Sequence, residues 1–247
     1  MTVLIDAKGM YYKELNEIIR DKISKGVKSF KIINVNGQRY IGDGITGRIK
    51  IHVSGIAGND LAAFMNGAEI IVQGNAQDGI ANTMNCGKII VHGHAGDALC
   101  YGMRGGEVFI KDDVGYRVGI HMKEYNEQKP ALVIGGVAGN FLGEYMAGGI
   151  LIVLGLNIEN DRQVITGDYF ATGMHGGVIY TRKPVCADFL GKEVKQFSVD
   201  DKDLKILTKY TSEYMHVFNK KIKLDLKSFC KYIPISKRPY GRLYVNA

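Results

Sequence analysis

The chain has 247 residues, a net charge of +7 and 46% hydrophobic residues, enough apolar sequence for a continuous core. No segment reaches the roughly 18 uninterrupted apolar residues of a transmembrane helix, and residues 1–6 lack a signal peptide's basic and apolar regions. We therefore expect a cytoplasmic protein that does not bind membranes. Cys86, Cys100, Cys186 and Cys230 form no CxxC pair and no zinc-like spacing, so we expect free thiols.

The first predicted element is an amphipathic helix over residues 11–23. Apolar residues, including Leu15 and Ile19, recur on one side at helical spacing, and Gly26 follows as a stop signal. A β-helix without a cap exposes unpaired strand edges. We therefore predict that residues 1–30 form a helical cap on the repeat that follows.

A 19-residue repeat fills the middle of the chain. Copies that begin at Lys50, Glu69 and Lys88 align without gaps, and apolar residues occupy positions 2 and 4 of each copy. This alternation predicts short strands with one buried face. Nineteen residues are too few for a β-α-β unit, which needs roughly 30. Stacked coils of this length predict an all-β fold, a parallel β-helix of about six to seven coils over residues 31–185.

Methionine recurs with the repeat, at spacings of 19, 19, 19, 24 and 28 residues. Because methionine fills irregular interior gaps, we interpret this column as a buried core ladder rather than a metal relay. The six residues are Met65, Met84, Met103, Met122, Met146 and Met174.

Glycine recurs at template positions 6, 9, 18 and 19. Glycine allows a positive φ and a close approach of neighbouring backbones, so these positions are predicted to be structural turns. The set is Gly55, Gly58, Gly74, Gly93, Gly96, Gly105, Gly106, Gly136, Gly139, Gly148, Gly149, Gly176 and Gly177.

Two polar inserts interrupt the template. The first is 123–130 (KEYNEQKP), and the second is 156–163 (LNIENDRQ). Inserts in a solenoid form loops on its surface. They are either tolerated extra length or contacts for a partner, and the candidate contact residues are Tyr125, Lys129, Asn157 and Arg162.

The C-terminal segment, residues 186–247, is predicted to be a basic helical tail. Residues 191–247 contain 11 Lys and 2 Arg against 6 acidic residues, and 201–218 has apolar residues at helical spacing. The charge indicates either a solvated face or docking onto an acidic protein. Without an RNP or helix-turn-helix signature, we do not expect nucleic-acid binding. Further candidate contacts are Arg238, Tyr240 and Arg242.

No catalytic constellation is apparent in the sequence. The GxGxxG match at 42–47 precedes a strand pattern, whereas a dinucleotide site requires a helix N-terminus there. His92 and His94 have no acids or thiols at ligand spacing. We therefore expect no catalytic residue, bound cofactor or metal in this chain.

The segment 34–39 (NVNGQR), with the repeated blocks Gly-x-Ala-Gly and Met-x-Gly-Gly, resembles the GXGXG domain of the glutamate synthase large chain over about residues 1–185. The resemblance implies a right-handed β-helix and a non-catalytic scaffold. It also implies partner chains, a glutamine amidotransferase and an FMN-binding synthase, which would carry FMN and an iron-sulfur cluster.

The same repeat is also similar to the repeat-containing subunit of formylmethanofuran dehydrogenase, and the repeat alone does not separate the two families. A stand-alone binding module and self-association stay open. A carbohydrate-binding solenoid would need exposed aromatic rows, and the sequence shows no tyrosine column at the repeat period.

Overall fold

A computed structural model describes residues 1–158 and 163–235 of the chain. Most of its regular structure is β-strand, with two α-helices and two short 3-10 turns at 187–189 and 226–228. In chain order the elements are β1 Val3–Asp6, α1 Tyr12–Ser24, β2 Ser29–Asn36, β3 Lys50–Ile56, β4 Asn66–Gln73, β5 Cys86–Val91, β6 Glu107–Ile110, β7 Ala131–Ile134, β8 Ala147–Val153, β9 Gly176–Thr181, β10 Val194–Ser198, α2 Asp201–Val217 and β11 Cys230–Pro234.

Each strand from β1 to β8 pairs in parallel with the next strand in the chain. The register is that of the 19-residue template, with Ile51 opposite Ile70 and Val53 opposite Val72. A second ladder of single parallel bridges runs through template position 8, at Ala57, Ala76, Ala95, Val114, Ala138 and Thr166. The fold is a parallel β-solenoid of about six turns, which confirms the predicted architecture.

The core is a continuous line inside the solenoid. The strand residues at template position 2 are fully buried, as are those at position 4 from Val53 to Val153. All six methionines of the repeat are also fully buried and belong to the same cluster. One template position copied at each coil therefore becomes one column of core side chains.

The N-terminal segment contains a strand as well as the predicted helix. Leu15 and Ile19 of α1 are buried against the first coil. The helix is anchored there by Asn16, whose Nδ2 donates to the carbonyl of Arg39 at 2.8 Å. Strand β1, which was not predicted from the sequence, pairs in parallel with β2 and forms one edge of the sheet.

The other end of the sheet is closed by two antiparallel strands. β11 lies between β9 and β10 and pairs antiparallel with both. Tyr232 of β11 is fully buried, and its ring packs edge-on against Phe170 of the last coil at 4.9 Å. The description of the C-terminal segment as a helical tail was therefore incomplete, because this segment also supplies the last two strands of the sheet.

Helix α2 packs on the outer face of the sheet, where the strands' outward side chains are apolar. These include Phe109, Val133, Ile152 and Tyr180, and they form a second cluster with residues of α2 such as Tyr214. The helix N-terminus has a capping box formed by Asp200 and Asp203. The Tyr214 hydroxyl donates to the carbonyl of Lys111 at 2.7 Å. The predicted second helix is present, and its apolar side binds its own solenoid.

Candidate functional site

One corner of the coil has an unusual backbone that sets which side chains reach solvent. Positions 11, 13 and 15 of the template all lie in the left-handed region, with φ between 52° and 72° over six coils. Position 13 holds only Ala, Cys or Gly, and each is buried. Positions 11 and 15 flank it, and their larger side chains turn outward. This corner therefore presents two columns of side chains at the surface.

The position 11 column forms a stack in the last three full coils. The Arg117 guanidinium lies 4.5 Å from the centre of the Phe141 ring. The Phe141 ring lies 4.7 Å from that of Tyr169, with 6° between their planes. Parallel strands are spaced by about 4.8 Å, so flat groups in one column meet face to face. The stack follows directly from the coil spacing.

A second stack lies at positions 14 and 15. The His121 ring is nearly parallel to that of Tyr145, with 5.4 Å between their centres and 11° between their planes. The Tyr101 ring lies 5.8 Å from the His121 ring and almost perpendicular to it, at 84°. The Tyr145 ring lies over Gly173, where an added Cβ would collide with it. Tyr116 lies over Gly139 in the same way.

We refer to this surface as the aromatic ridge. Three of its tyrosines are between 43% and 56% exposed. Its members are Tyr101, Tyr116, Arg117, His121, Phe141, Tyr145 and Tyr169.

The ridge is cationic as well as aromatic. Arg117 forms an ion pair with Glu144, whose side chain is 10% exposed. Arg104 and Lys123, both at template position 17, are exposed and lie two residues beyond position 15 on their coils. The charge of Glu144 is neutralised by Arg117. The charges of Arg104 and Lys123 are not, so this part of the ridge has an excess of positive charge.

The neighbouring columns contain aspartates: Asp113 at position 7, and Asp78, Asp97 and Asp168 at position 10, the column that also holds Tyr116. Asp78 Oδ1 accepts from the amide of Asp97 at 2.9 Å, and Asp97 Oδ1 accepts from the amide of Tyr116 at 2.8 Å. Asp113 Oδ1 likewise accepts from the amide of Val137 at 2.8 Å. These side chains link one coil to the next, so they have a structural role. The exposed cations at position 17, Arg104 and Lys123, therefore lie in a different column from these aspartates.

The predicted contact residues of the first insert lie on an exposed turn. Tyr125 and Gln128 exchange backbone hydrogen bonds of 3.2 and 3.0 Å. Tyr125 is 56% exposed, and Lys129 Nζ lies 3.9 Å from a carboxylate oxygen of Glu124. The turn follows Lys123, so it lies on the coil beside the ridge.

The other predicted contacts do not add to the ridge. Asn157 of the second insert donates to Asp112 Oδ1 at 3.3 Å, and Asp112 is not a ridge residue. Arg162, Arg238, Tyr240 and Arg242 lie outside the described residues.

The glycines predicted as turns fall into two groups. Positive φ angles occur at Gly55, Gly74, Gly106, Gly149 and Gly177. At the other eight, a Cβ would collide with atoms of a neighbouring coil, as at Gly96, where it would meet Asp78 Oδ1. At Gly139 the neighbouring group is the ring of Tyr116, so this glycine serves the ridge.

The cysteines do not fit an iron-sulfur cluster. Cys100 and Cys230 are buried, Cys86 and Cys186 are exposed, and all four are free thiols. Burial raises the pKa of the Cys100 thiol far above its usual range, which disfavours the thiolate that metals bind. Within residues 1–158 and 163–235, no group of three or more His, Cys, Asp or Glu residues is placed to hold a metal ion.

The ridge was missed by sequence reasoning because that reasoning looked for a column of one residue type. The stacks mix Arg, His, Phe and Tyr, and the second stack uses two adjacent template positions. A search for any flat side chain at positions 11, 14 and 15 would have found them.

The fold defines a class, the parallel β-solenoid repeat proteins. Within it, the chain belongs to the GXGXG motif family, whose model matches residues 13–235. The match extends past residue 185, the predicted end of the resemblance, and includes α2, β10 and β11.

A relative from Methanocaldococcus jannaschii, described as an uncharacterized protein, is 49% identical over 252 aligned positions. The alignment covers 98% of this chain and 96% of the relative. Among the described residues, neither helix combines the length and the apolar character needed to cross a membrane.

Proposed function

We propose that this chain is a non-catalytic, cytoplasmic scaffold subunit of a multi-chain glutamate synthase, which makes glutamate from glutamine and 2-oxoglutarate. The observation that carries the proposal is the family match over residues 13–235, from the first helix to the last described strand. In this proposal the amidotransferase and the FMN-binding synthase are separate chains, and they hold the FMN and the iron-sulfur cluster.

The contribution of this chain would be mechanical. Six coils spaced by about 4.8 Å form a rod on the order of 30 Å long. Parallel ladders, the methionine column and the helix on the outer face fix its shape before binding. A preorganised surface costs little ordering entropy when partners bind. The rod would brace the amidotransferase against the synthase so that ammonia passes between them.

The test is affinity purification of the native protein from its own cells, followed by identification of the bound chains and a visible absorption spectrum. We expect a glutaminase-type chain and a yellow, FMN-containing chain. A tungsten or molybdenum protein would instead indicate the formylmethanofuran dehydrogenase context. A colourless protein without partners would contradict the proposal.

A reconstitution sharpens the test. Glutamine-dependent glutamate formation by the two catalytic chains is measured with and without this chain. A scaffold raises this rate while leaving glutaminase activity of the isolated amidotransferase unchanged. An equal rate in both mixtures would contradict the bracing role.

A further inference from the structure

We propose that the aromatic ridge is a docking surface for a protein partner that presents carboxylates around an apolar centre. The inference rests on the proposed function, because it assigns a binding face for one of the two catalytic chains. Beyond the proposed function, the proposal names which part of the solenoid binds the catalytic chain and which chemistry that chain presents there.

The residue types of the ridge are those of protein interfaces. Tyrosine and arginine are enriched at protein interfaces and among the residues that dominate binding energy. Tyr116 and Tyr169 are each 56% exposed, although fully buried core residues, Val118 and Phe170, follow within two residues along the chain. The fold itself does not require aromatic groups here, since position 11 holds Gly79 and Ala98 in earlier coils.

The side chains of the ridge are held in place by one another. The Phe141 and Tyr169 rings fix each other by stacking, and Arg117 is held by both Phe141 and Glu144. His121 is held between two tyrosine rings. Side chains that are already ordered lose little entropy on association, so a larger part of the contact energy appears as affinity.

The ridge also carries exposed positive charge. Arg104 and Lys123 are exposed beside the rings, while Glu144 is largely buried and paired. Carboxylates on a partner would find these cations unshielded by acids of the same columns. Complementary charge of this kind increases the association rate and suppresses wrong partners. The partner surface is therefore expected to be acidic.

The arrangement also argues against a sugar ligand. Sugar rings stack on open aromatic faces, but here Phe141 and Tyr145 have their faces covered by neighbouring groups. These two rings leave only their edges and the Tyr145 hydroxyl for a partner, which suits a protein surface.

The test compares two variants of the full chain in the affinity purification described above. The ridge variant combines Tyr116→Ala with Lys123→Glu. The control combines Phe197→Ala with Lys195→Glu, which changes one exposed aromatic residue and one exposed lysine on the edge strand β10. Thermal unfolding of both variants is measured, and both are expected to fold like the wild type.

We expect the ridge variant to retain at most about a tenth of the bound catalytic chain and the control to retain all of it. A tenfold loss corresponds to about 1.4 kcal/mol, which the two removed contacts need only supply together. Higher salt should weaken the wild-type complex and reduce the difference made by Lys123→Glu. Equal capture by the ridge variant and the wild type would overturn this inference while leaving the proposed function intact.

Two other outcomes also decide the matter. Capture of neither catalytic chain by the wild type would overturn the proposed function and this inference with it. Light scattering after size exclusion would show whether the ridge variant abolishes a wild-type dimer; that result would replace the acidic partner with a second copy of this chain.

Discussion

The methionine column inside the solenoid and the ring stacks outside it arise from the same repeat but follow different rules. Inside, position 16 is methionine in six coils, and every one is fully buried. Outside, position 11 changes from Asp60 through Gly79 and Ala98 to Arg117, Phe141 and Tyr169. Packing fixes the inner columns, because volume must match at each coil. The outer columns are free to vary, so core packing does not dictate which residue types occupy position 11, although the coil spacing sets how flat side chains there stack.

The largest expected effect comes from placing a charge in the inner column. Met103→Asp should reduce the free energy of unfolding by about 4 kcal/mol, because the carboxylate would be buried without a partner. Tyr101→Asp, two residues earlier and 43% exposed, should cost under about 1 kcal/mol. Denaturant unfolding of both variants measures the contrast. Similar losses for the two would mean that the inner and outer columns do not differ as described.

A second test uses the tyrosines that the C-terminal segment buries. Burial raises the pKa of Tyr232 to about 12, and it also raises the pKa values of Tyr180 and Tyr214. The folded state therefore favours the protonated phenol. This stability is fully present below the unfolded pKa of about 10 and is lost as the pH rises from about 10 to about 12.

For Tyr232 alone the loss should be about 3 kcal/mol. The measurement is denaturant unfolding across this pH window, with tyrosinate absorbance followed in parallel. Tyr232→Phe is the control, and its stability should fall less steeply with pH than that of the wild type. Identical slopes would show that this phenol does not contribute to the alkaline loss.

Substitutions at two glycines distinguish the cost of a collision between coils from the cost of a left-handed backbone. Gly55 has a φ of +123°, and an added Cβ would collide with the backbone of Val35 in the neighbouring coil. Gly44 has a φ of +63°, and nothing lies within 4 Å of an added Cβ. Gly55→Ala should cost about 3 kcal/mol, whereas Gly44→Ala should cost about 1 kcal/mol. Thermal unfolding of the two variants gives the comparison, and equal shifts would exclude inter-coil contact as the cause.

The repeat made most of the fold predictable. Every coil contributes the same residue to a column, so the spacing of Met65 and Met84 predicts both the coil length and the buried face. The apolar residues at template positions 2 and 4 likewise predicted which strand side chains point inward. No such copying applies to the ends of the chain, where each element packs only once.

What could not be predicted depends on contacts between distant parts of the chain. Tyr214 meets Lys111 across 103 residues, and β11 inserts between β9 and β10 after the intervening helix. The helical pattern of 201–218 predicted the element but not its binding surface. The ridge was hidden for a different reason, since different residue types such as Arg117 and Phe141 share one column.

The smallest expected effect concerns the seam where α2 covers the outer strands. Lys88 of β5 pairs with Glu213 of α2, and Lys209 pairs with Glu107 of β6 at 2.9 Å. The hydrogen bond from Lys88 holds the pKa of Glu213 below its usual value. The side chain of Glu213 is 36% exposed, so solvent screens the pair. A double-mutant cycle with Lys88→Ala and Glu213→Ala should give a coupling of about 0.5 kcal/mol.

The pH dependence of this coupling separates charge from packing at the seam. Because the pKa of Glu213 is lowered in the folded state, the ion pair contributes its full stability above the unfolded pKa of about 4.3. The coupling should be lost as the pH falls from about 4.3 through the lower folded pKa. Repeating the cycle in acid is therefore the measurement. A coupling that persists there would show that the contact between Lys88 and Glu213 does not depend on the charge of the carboxylate.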